Sequence, residues 1–145
     1  MNMAVKQISV FVENRSGGLA DVTKALADAG VNIRALSISE TSDFGILRLI
    51  VDDVFAAGNA LKENGHIYSL TDVIAVAGED KPGSIANIMA VLATANISLD
   101  YAYAFFAESK ELAYMIIKVG DMELAKKVLK ENKIPMVSAE EIAKL

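Results

Sequence analysis

The sequence predicts an α+β chain built from one βαββαβ unit used twice, with antiparallel sheets and helices on one sheet face. Three observations carry that expectation. The 145-residue chain matches itself when Gly17 is set over Gly83, 66 residues on. Each copy then reads strand, helix, strand, strand, helix, strand by hydrophobic period. The polar, glycine-bearing stretch "ENRSGGLAD" (13–21) returns as "EDKPGSIAN" (79–87).

The matches are mostly of core type. Ile8 and Val10 meet Ile74 and Val76, Leu19 meets Ile85, Val22 meets Ile88, Leu26 meets Leu92, Ala29 meets Ala95 and Ile33 meets Leu99. Further on the offset becomes 68: Val51 meets Val119, Asp53 meets Asp121, and "LKEN" (61–64) recurs at 129–132. The two extra residues fall where a hairpin tip tolerates insertion.

"QISVFV" and "VIAVAG" open the copies with strand-like apolar density. "LADVTKALADAG" then spaces Leu19, Val22, Leu26 and Ala29 along one helical face. Gly30 and Asn96 stand where a left-handed helix end is wanted. "VNIRALSIS" and "ISLDYAYAFF" are rich in β-branched or aromatic residues. The tips "ETSDFG" and "AESKE" separate them from "ILRLIV" and "LAYMIIKV", which is the pattern of a hairpin. Asp53 and Asp121 are N-caps for a second helix. Short strands near Ile67 to Leu70 and at Met136 to Val137 close the units, and "SAEE" from Ser138 to Glu141 is a capping box for a last helical turn or two. The order is ferredoxin-like, with one unit at residues 1–71 and the other at 72–145.

In the third strands Leu47, Leu49 and Val51 point one way and Ile46 and Ile50 the other; Met115, Ile117 and Val119 likewise oppose Tyr114 and Ile116. Both sheet faces are therefore apolar, though Arg48 and Lys118 interrupt the second. A ~70-residue unit is also marginal alone, and the join around Thr71 and Asp72 is too short for a flexible linker. The expectation is two units side by side, edge to edge or strand-exchanged, with the remaining apolar face packed in a homodimer.

Composition narrows the function classes. With 53% hydrophobic residues, 23% charged and two prolines the chain is globular, and no stretch approaches the ~20 apolar residues of a membrane span. The first residues turn polar too soon for a signal peptide, so a cytoplasmic protein is expected. There is no cysteine and one histidine, His66, in the turn-like stretch "ENGHIYS"; this excludes disulfides, thiolate chemistry and the usual zinc clusters. No cofactor is expected. The net charge of −5 is spread evenly, with six basic and nine acidic groups in residues 1–72 and eight and ten in the rest. Nucleic acid and anionic membrane are therefore poor partners.

The repeated glycine turn is the candidate site. Gly17-Gly18 and Gly83-Ser84 end a strand and open a helix, whose first N–H groups lack intrahelical acceptors. They can meet a carboxylate, which a helix opening stabilises by ~0.3 to 1 kcal/mol. Asn14 and Asp80, three residues before each glycine, can accept from an ammonium group. Together these would receive a free α-amino acid. The turn fits neither the dinucleotide fingerprint nor a phosphate loop, because Lys81 precedes its glycine.

The stretches "NRSGGLADVTKALADAGVNI" and "DKPGSIANIMAVLATANISL" resemble the ACT domain, a small-molecule sensing module of amino-acid metabolism. They carry its D/N-R/K-P-G-x-L turn, a short helix and a G-V-N-I lead into the second strand, and the likeness covers nearly the whole chain as a tandem pair. The resemblance implies a regulatory protein that binds an amino acid between units, with Asn14, Ser16, Gly17, Gly18 and Leu19 in one turn and Asp80, Pro82, Gly83, Ser84 and Ile85 in the other. In the family's serine-sensing dehydrogenases the asparagine of the turn works with the asparagine of G-V-N-I from the facing unit. Here those positions are Asn14 and Asn32, with Asp80 and Ser98 in the second copy; across the copies Asn14 would work with Ser98 and Asp80 with Asn32. Ser16 replaces the family's proline, and Val12 and Gly78 stand where a serine-binding relative has histidine.

Tyr101, Tyr103 and Phe105 line one strand face where the first copy has Ala35, Ser37 and Ser39; they fill core or interface, or shape a pocket. The implied output is an allosteric effect on a regulated enzyme or other protein, without catalysis by the chain itself. Two other readings share the topology: a small enzyme acting on an amino-acid-derived metabolite, and a purely structural interaction module. An RNA-recognition domain would need aromatic motifs on central strands and a basic surface, which "VIAVAG" and the charge balance do not supply.

Overall fold

A computed structural model describes residues 4–13, 15–40, 43–105 and 111–145. The chain divides into two compact units, one mainly Lys6–Thr71 and the other mainly Asp72–Ala143. The hairpin tips "ETSDFG" and "AESKE" lie partly outside the described residues.

In the first unit β1 (Ala4–Glu13) leads to α1 (Gly18–Asp28), the hairpin β2 (Ile33–Glu40) and β3 (Phe44–Val51), and α2 (Val54–Glu63). β3 lies between β1 and β2 and is antiparallel to both, with Leu49 opposite Ile8 and Leu36. Ile8, Val10, Leu47, Leu49 and Val51 share the strand face that packs on Val22 and Leu26 of α1 and Ala57 and Leu61 of α2. The alternation read in the sequence thus sorts the residues as expected.

The second unit repeats the plan with α3 (Ser84–Thr94), β5 (Leu99–Ala104), β6 (Leu112–Val119), α4 (Met122–Glu131), β7 (Met136–Val137) and α5 (Ala139–Lys144). Ile74, Val76, Ile117 and Val119 meet Ile88, Leu92, Ala125 and Leu129 in its core. The repetition reaches small irregularities: β2 bulges between Ile33 and Ala35, and β5 between Leu99 and Tyr101. On the faces turned from the helices, Ile50 and Ile116 are buried as well.

One expected break is missing. The strand that closes the first unit and the one that opens the second form a single twelve-residue strand, β4 (Tyr68–Glu79). No glycine or proline interrupts it before Gly78, and Val73 to Ala77 are all buried, so Thr71 and Asp72 stay extended where a short join was expected.

Local chemistry sets the helix ends. Asp53 and Asp121 each accept from the N–H three residues on, at 3.0 Å. Among the described residues the four long helices finish alike: Gly30, Gly65, Asn96 and Lys133 take positive φ, and the next N–H donates five residues back, as from Val31 to Leu26 at 3.0 Å and from Ile97 to Leu92 at 3.0 Å. Ser138 and Glu141 make the expected reciprocal capping box at the start of α5.

Candidate functional site

Both copies turn from strand to helix through one backbone shape. Gly17 has φ 85° and ψ −5°, and Gly83 has φ 90° and ψ −13°. Left-handed backbone of this kind is costly for a residue with a Cβ, which explains a glycine at the same place in each repeat. Gly18 N–H then donates to the Arg15 carbonyl (3.2 Å), and Ser84 N–H to that of Lys81 (3.3 Å). The first bonds inside the helices are from Asp21 to Gly17 and from Asn87 to Gly83, both 2.9 Å. The N–H groups between, on Leu19 and Ala20 and on Ile85 and Ala86, precede the first intrahelical donor. Neither opening carries a side-chain cap.

Around this shared backbone the side chains differ. A Cβ on Gly18 would lie 2.9 Å from the Glu13 carbonyl oxygen and 3.0 Å from Val12 Cγ1. In the second copy the counterpart of Val12 is Gly78, where a Cβ would collide with Ser84 Oγ. One slot between strand end and helix start is filled from the strand by Val12 in the first turn and from the helix by Ser84 in the second. In the sequence Val12 and Gly78 stand out only singly; their exchange with Gly18 and Ser84 is visible once strand and helix lie against each other.

The flanking charges differ too. Arg15 donates to Asp21 at 2.8 Å and lies 3.6 Å from Glu13, so its guanidinium crosses the opening. The Asp21 hydrogen bond and charge raise the Arg15 pKa. Asn87 replaces the acid in the second copy, and Lys81 instead meets Glu79 at 2.7 Å. That contact raises the Lys81 pKa and lowers that of Glu79.

Ser16, Gly17, Gly18 and Leu19 are gathered at the first turn, and Asp80, Pro82, Gly83, Ser84 and Ile85 at the second. Gly18 is buried, Ser84 is half-buried and the others are exposed. Asn14 lies outside the described residues. Asp80 N–H donates to the Glu111 carbonyl at 2.9 Å. Asn32 and Ser98 follow the far ends of α1 and α3, which at eleven residues are about 16 Å long. Within a unit they therefore do not join the turn. Asn32 is held by its backbone: its N–H donates to Asp52 Oδ1 (2.9 Å), and its carbonyl accepts from Asp52 N–H (3.1 Å).

A groove of about 590 Å³ flanks the first turn, lined by Val12, Glu13, Arg15, Gly18, Asp21 and His66 among others. Of the predicted residues that are described, only Gly18 lines it. His66 occupies the turn after α2, where its N–H donates to the Leu61 carbonyl at 2.9 Å. Among the described residues no cluster of His, Asp or Glu is arranged to hold a metal, and no helix is long and apolar enough to cross a membrane.

A family model described as an ACT domain pair matches residues 3–145. Among solved structures, the protein BT0572 from Bacteroides thetaiotaomicron is 38% identical, with 99% of this chain and 98% of that one covered and a TM-score of 0.92. The regulatory subunit of aspartate kinase from Thermus thermophilus, in its ligand-free form, is 19% identical over 89% of this chain and 90% of that one, with a TM-score of 0.64. The aspartokinase α and β subunits are 19% identical over 90% and 96%, with a TM-score of 0.54. These last two likenesses establish shared fold alone. No curated protein matches the sequence.

Proposed function

The chain belongs to the ACT domain pair family, and we propose that it is a non-catalytic regulatory protein that binds a free amino acid and passes the occupancy on to an enzyme or other protein. The observation that carries this reading is the pair of glycine-opened helices, Gly17 and Gly83, in matching left-handed backbone. The amides of Leu19 and Ala20, and of Ile85 and Ala86, would take the ligand carboxylate. Its ammonium group would be taken by Asn14 at one turn and by Asp80 at the other, with Ser98 and Asn32 supplied from facing units. The fold is shared with a protein named as a regulatory subunit of aspartate kinase, which supports a regulatory role without naming the ligand.

The same reading has the protein work as a cytoplasmic homodimer. Leu36 and Ile38 on β2 and Leu99 on β5 are 39%, 48% and 37% exposed; register sets them opposite Leu49, Leu47 and Val119, on the helix side rather than on the face expected to pack in the dimer, and a second copy would cover them as well. Ligand would favour one arrangement of the paired units, with a coupling of about 1 to 3 kcal/mol as is usual for such sensors.

Thermal unfolding against the twenty amino acids tests the proposal. A true ligand at a hundredfold excess over Kd adds ~2.7 kcal/mol. Gly17→Val and Gly83→Val should each remove the shift arising from their own turn. Full binding by both variants would refute the site.

A further inference from the structure

One row of the first unit's sheet leaves open a hollow whose counterpart in the second unit is filled. On the face turned from α1 and α2, Phe11, Ile46 and Ser39 stand abreast across β1, β3 and β2. Phe44 stands on the next row, opposite Glu13, and Ile67 is tied in where its carbonyl accepts from Phe11 N–H at 3.1 Å. With Glu40 these residues surround a hollow of about 510 Å³. Its walls are apolar yet open to water, since Phe11, Phe44 and Ile67 are 50%, 55% and 72% exposed. Clustered apolar exposure of this kind marks interaction surfaces.

The internal repeat shows what such a row accepts. The matching row of the second unit is Ala77, Tyr114 and Phe105: Ala77 pairs with Tyr114, and Phe105 N–H donates to the Tyr114 carbonyl at 3.3 Å. Phe105 lies against Tyr114 with ring centroids 4.9 Å apart and is only 9% exposed. The same backbone plan, with Ala77 for Phe11 and Phe105 for Ser39, therefore carries an aromatic ring where the first unit has a hydroxyl. That hydroxyl already accepts from Arg48 at 2.9 Å, so its oxygen keeps a partner when a ring is laid over it.

We propose that the hollow over Ser39 is a docking site for an aromatic side chain of a partner protein, flanked in that partner by basic residues. The charge preference follows from the rim. Among the described residues Glu40 is the one charged group lining the hollow, Asp43 precedes Phe44, and the chain carries −5 overall. A second copy docked with its two-fold axis at the hollow would set Glu40 near Glu40, which like-charge repulsion opposes.

The test uses the full chain, labelled for NMR, and the peptide acetyl-Lys-Lys-Phe-Lys-Lys-amide. Saturable shifts are expected at the Ile46 and Ile67 methyls, at least tenfold weaker binding when the peptide's Phe is replaced by Ala, and weaker binding again when its Lys residues are replaced by Glu. Ser39→Phe should abolish binding while keeping the melting temperature, as the second unit carries phenylalanine there. Ile67→Glu provides a second blocking variant at an exposed position. The proposal is overturned if the Phe and Ala peptides bind alike, if Ser39→Phe and Ile67→Glu bind as the wild type does, or if free phenylalanine moves the same methyls equally well. Sedimentation showing that Ser39→Phe splits an oligomer also overturns it, by making a second copy the occupant.

Discussion

Exchanging the slot between strand end and helix start gives a sharp test of how the two turns are packed. Gly78→Val places a side chain against Ser84 Oγ, with Ile88 Cδ1 3.7 Å from the new Cβ. Overpacking of this kind costs about 1 to 3 kcal/mol. Ser84→Gly alone removes the obstructing hydroxymethyl and costs only the ~0.5 kcal/mol of a weaker helix former near a terminus. In the double variant the valine enters the space that Val12 fills beside Gly18, so most of the overpacking should vanish. A double-mutant cycle should then show at least ~1 kcal/mol of favourable coupling, or roughly 2 to 4 °C in melting temperature for a chain of this size. Urea unfolding followed by circular dichroism measures all four proteins. Additive effects, with the double variant no more stable than Gly78→Val, would refute the shared-slot reasoning.

Other consequences follow from single contacts. Asp53→Ala and Asp121→Ala each remove a 3.0 Å cap bond and should cost a similar ~1 kcal/mol in chemical denaturation, with Asn at either site restoring most of it. Gly83→Ala forces a Cβ into φ 90° and should cost ~1 to 2 kcal/mol although space is open around it, because the penalty lies in the backbone. Lys81 lowers the Glu79 pKa, so carboxyl NMR should find Glu79 titrating below an ordinary glutamate, and Lys81→Gln should return it upward. A depressed carboxylate stabilises the fold above its unfolded pKa, and that support disappears as pH falls through the folded value; the Lys81→Gln variant should therefore lose less stability between neutral and acid pH than the wild type.

Much of the fold is legible in the sequence because the determinants are local. A glycine that needs φ near 85° to 90°, an aspartate three residues before an orphan N–H, and a glycine or asparagine tolerant of left-handed backbone after α1 and α3 act within a few positions. The repeat makes each readable twice. What escaped depends on neighbours distant along the chain. Thr71 and Asp72 read as a join because polar residues usually punctuate strands, yet flanking pairing keeps them extended in β4. The exchange of Val12 with Gly18 for Gly78 with Ser84 requires knowing that positions six apart touch across the turn. The sequence points to the side chain of Asn32, whereas its visible bonds are made by its backbone to Asp52. The contrast between Ser39 and Phe105 was plain in the letters, but its meaning depended on which residues stand abreast in the sheet.

Amide chemical shifts recorded while each of the twenty amino acids is titrated into the protein test the sensor reading most directly. At least one ligand should move the N–H resonances of Leu19 and Ala20, or of Ile85 and Ala86, in a saturable way that the matching glycine-to-valine variant abolishes. If those four amides stay still while an amino acid binds elsewhere, or if none of the twenty binds, the paired helix openings are turns of a duplicated scaffold and the reading is wrong.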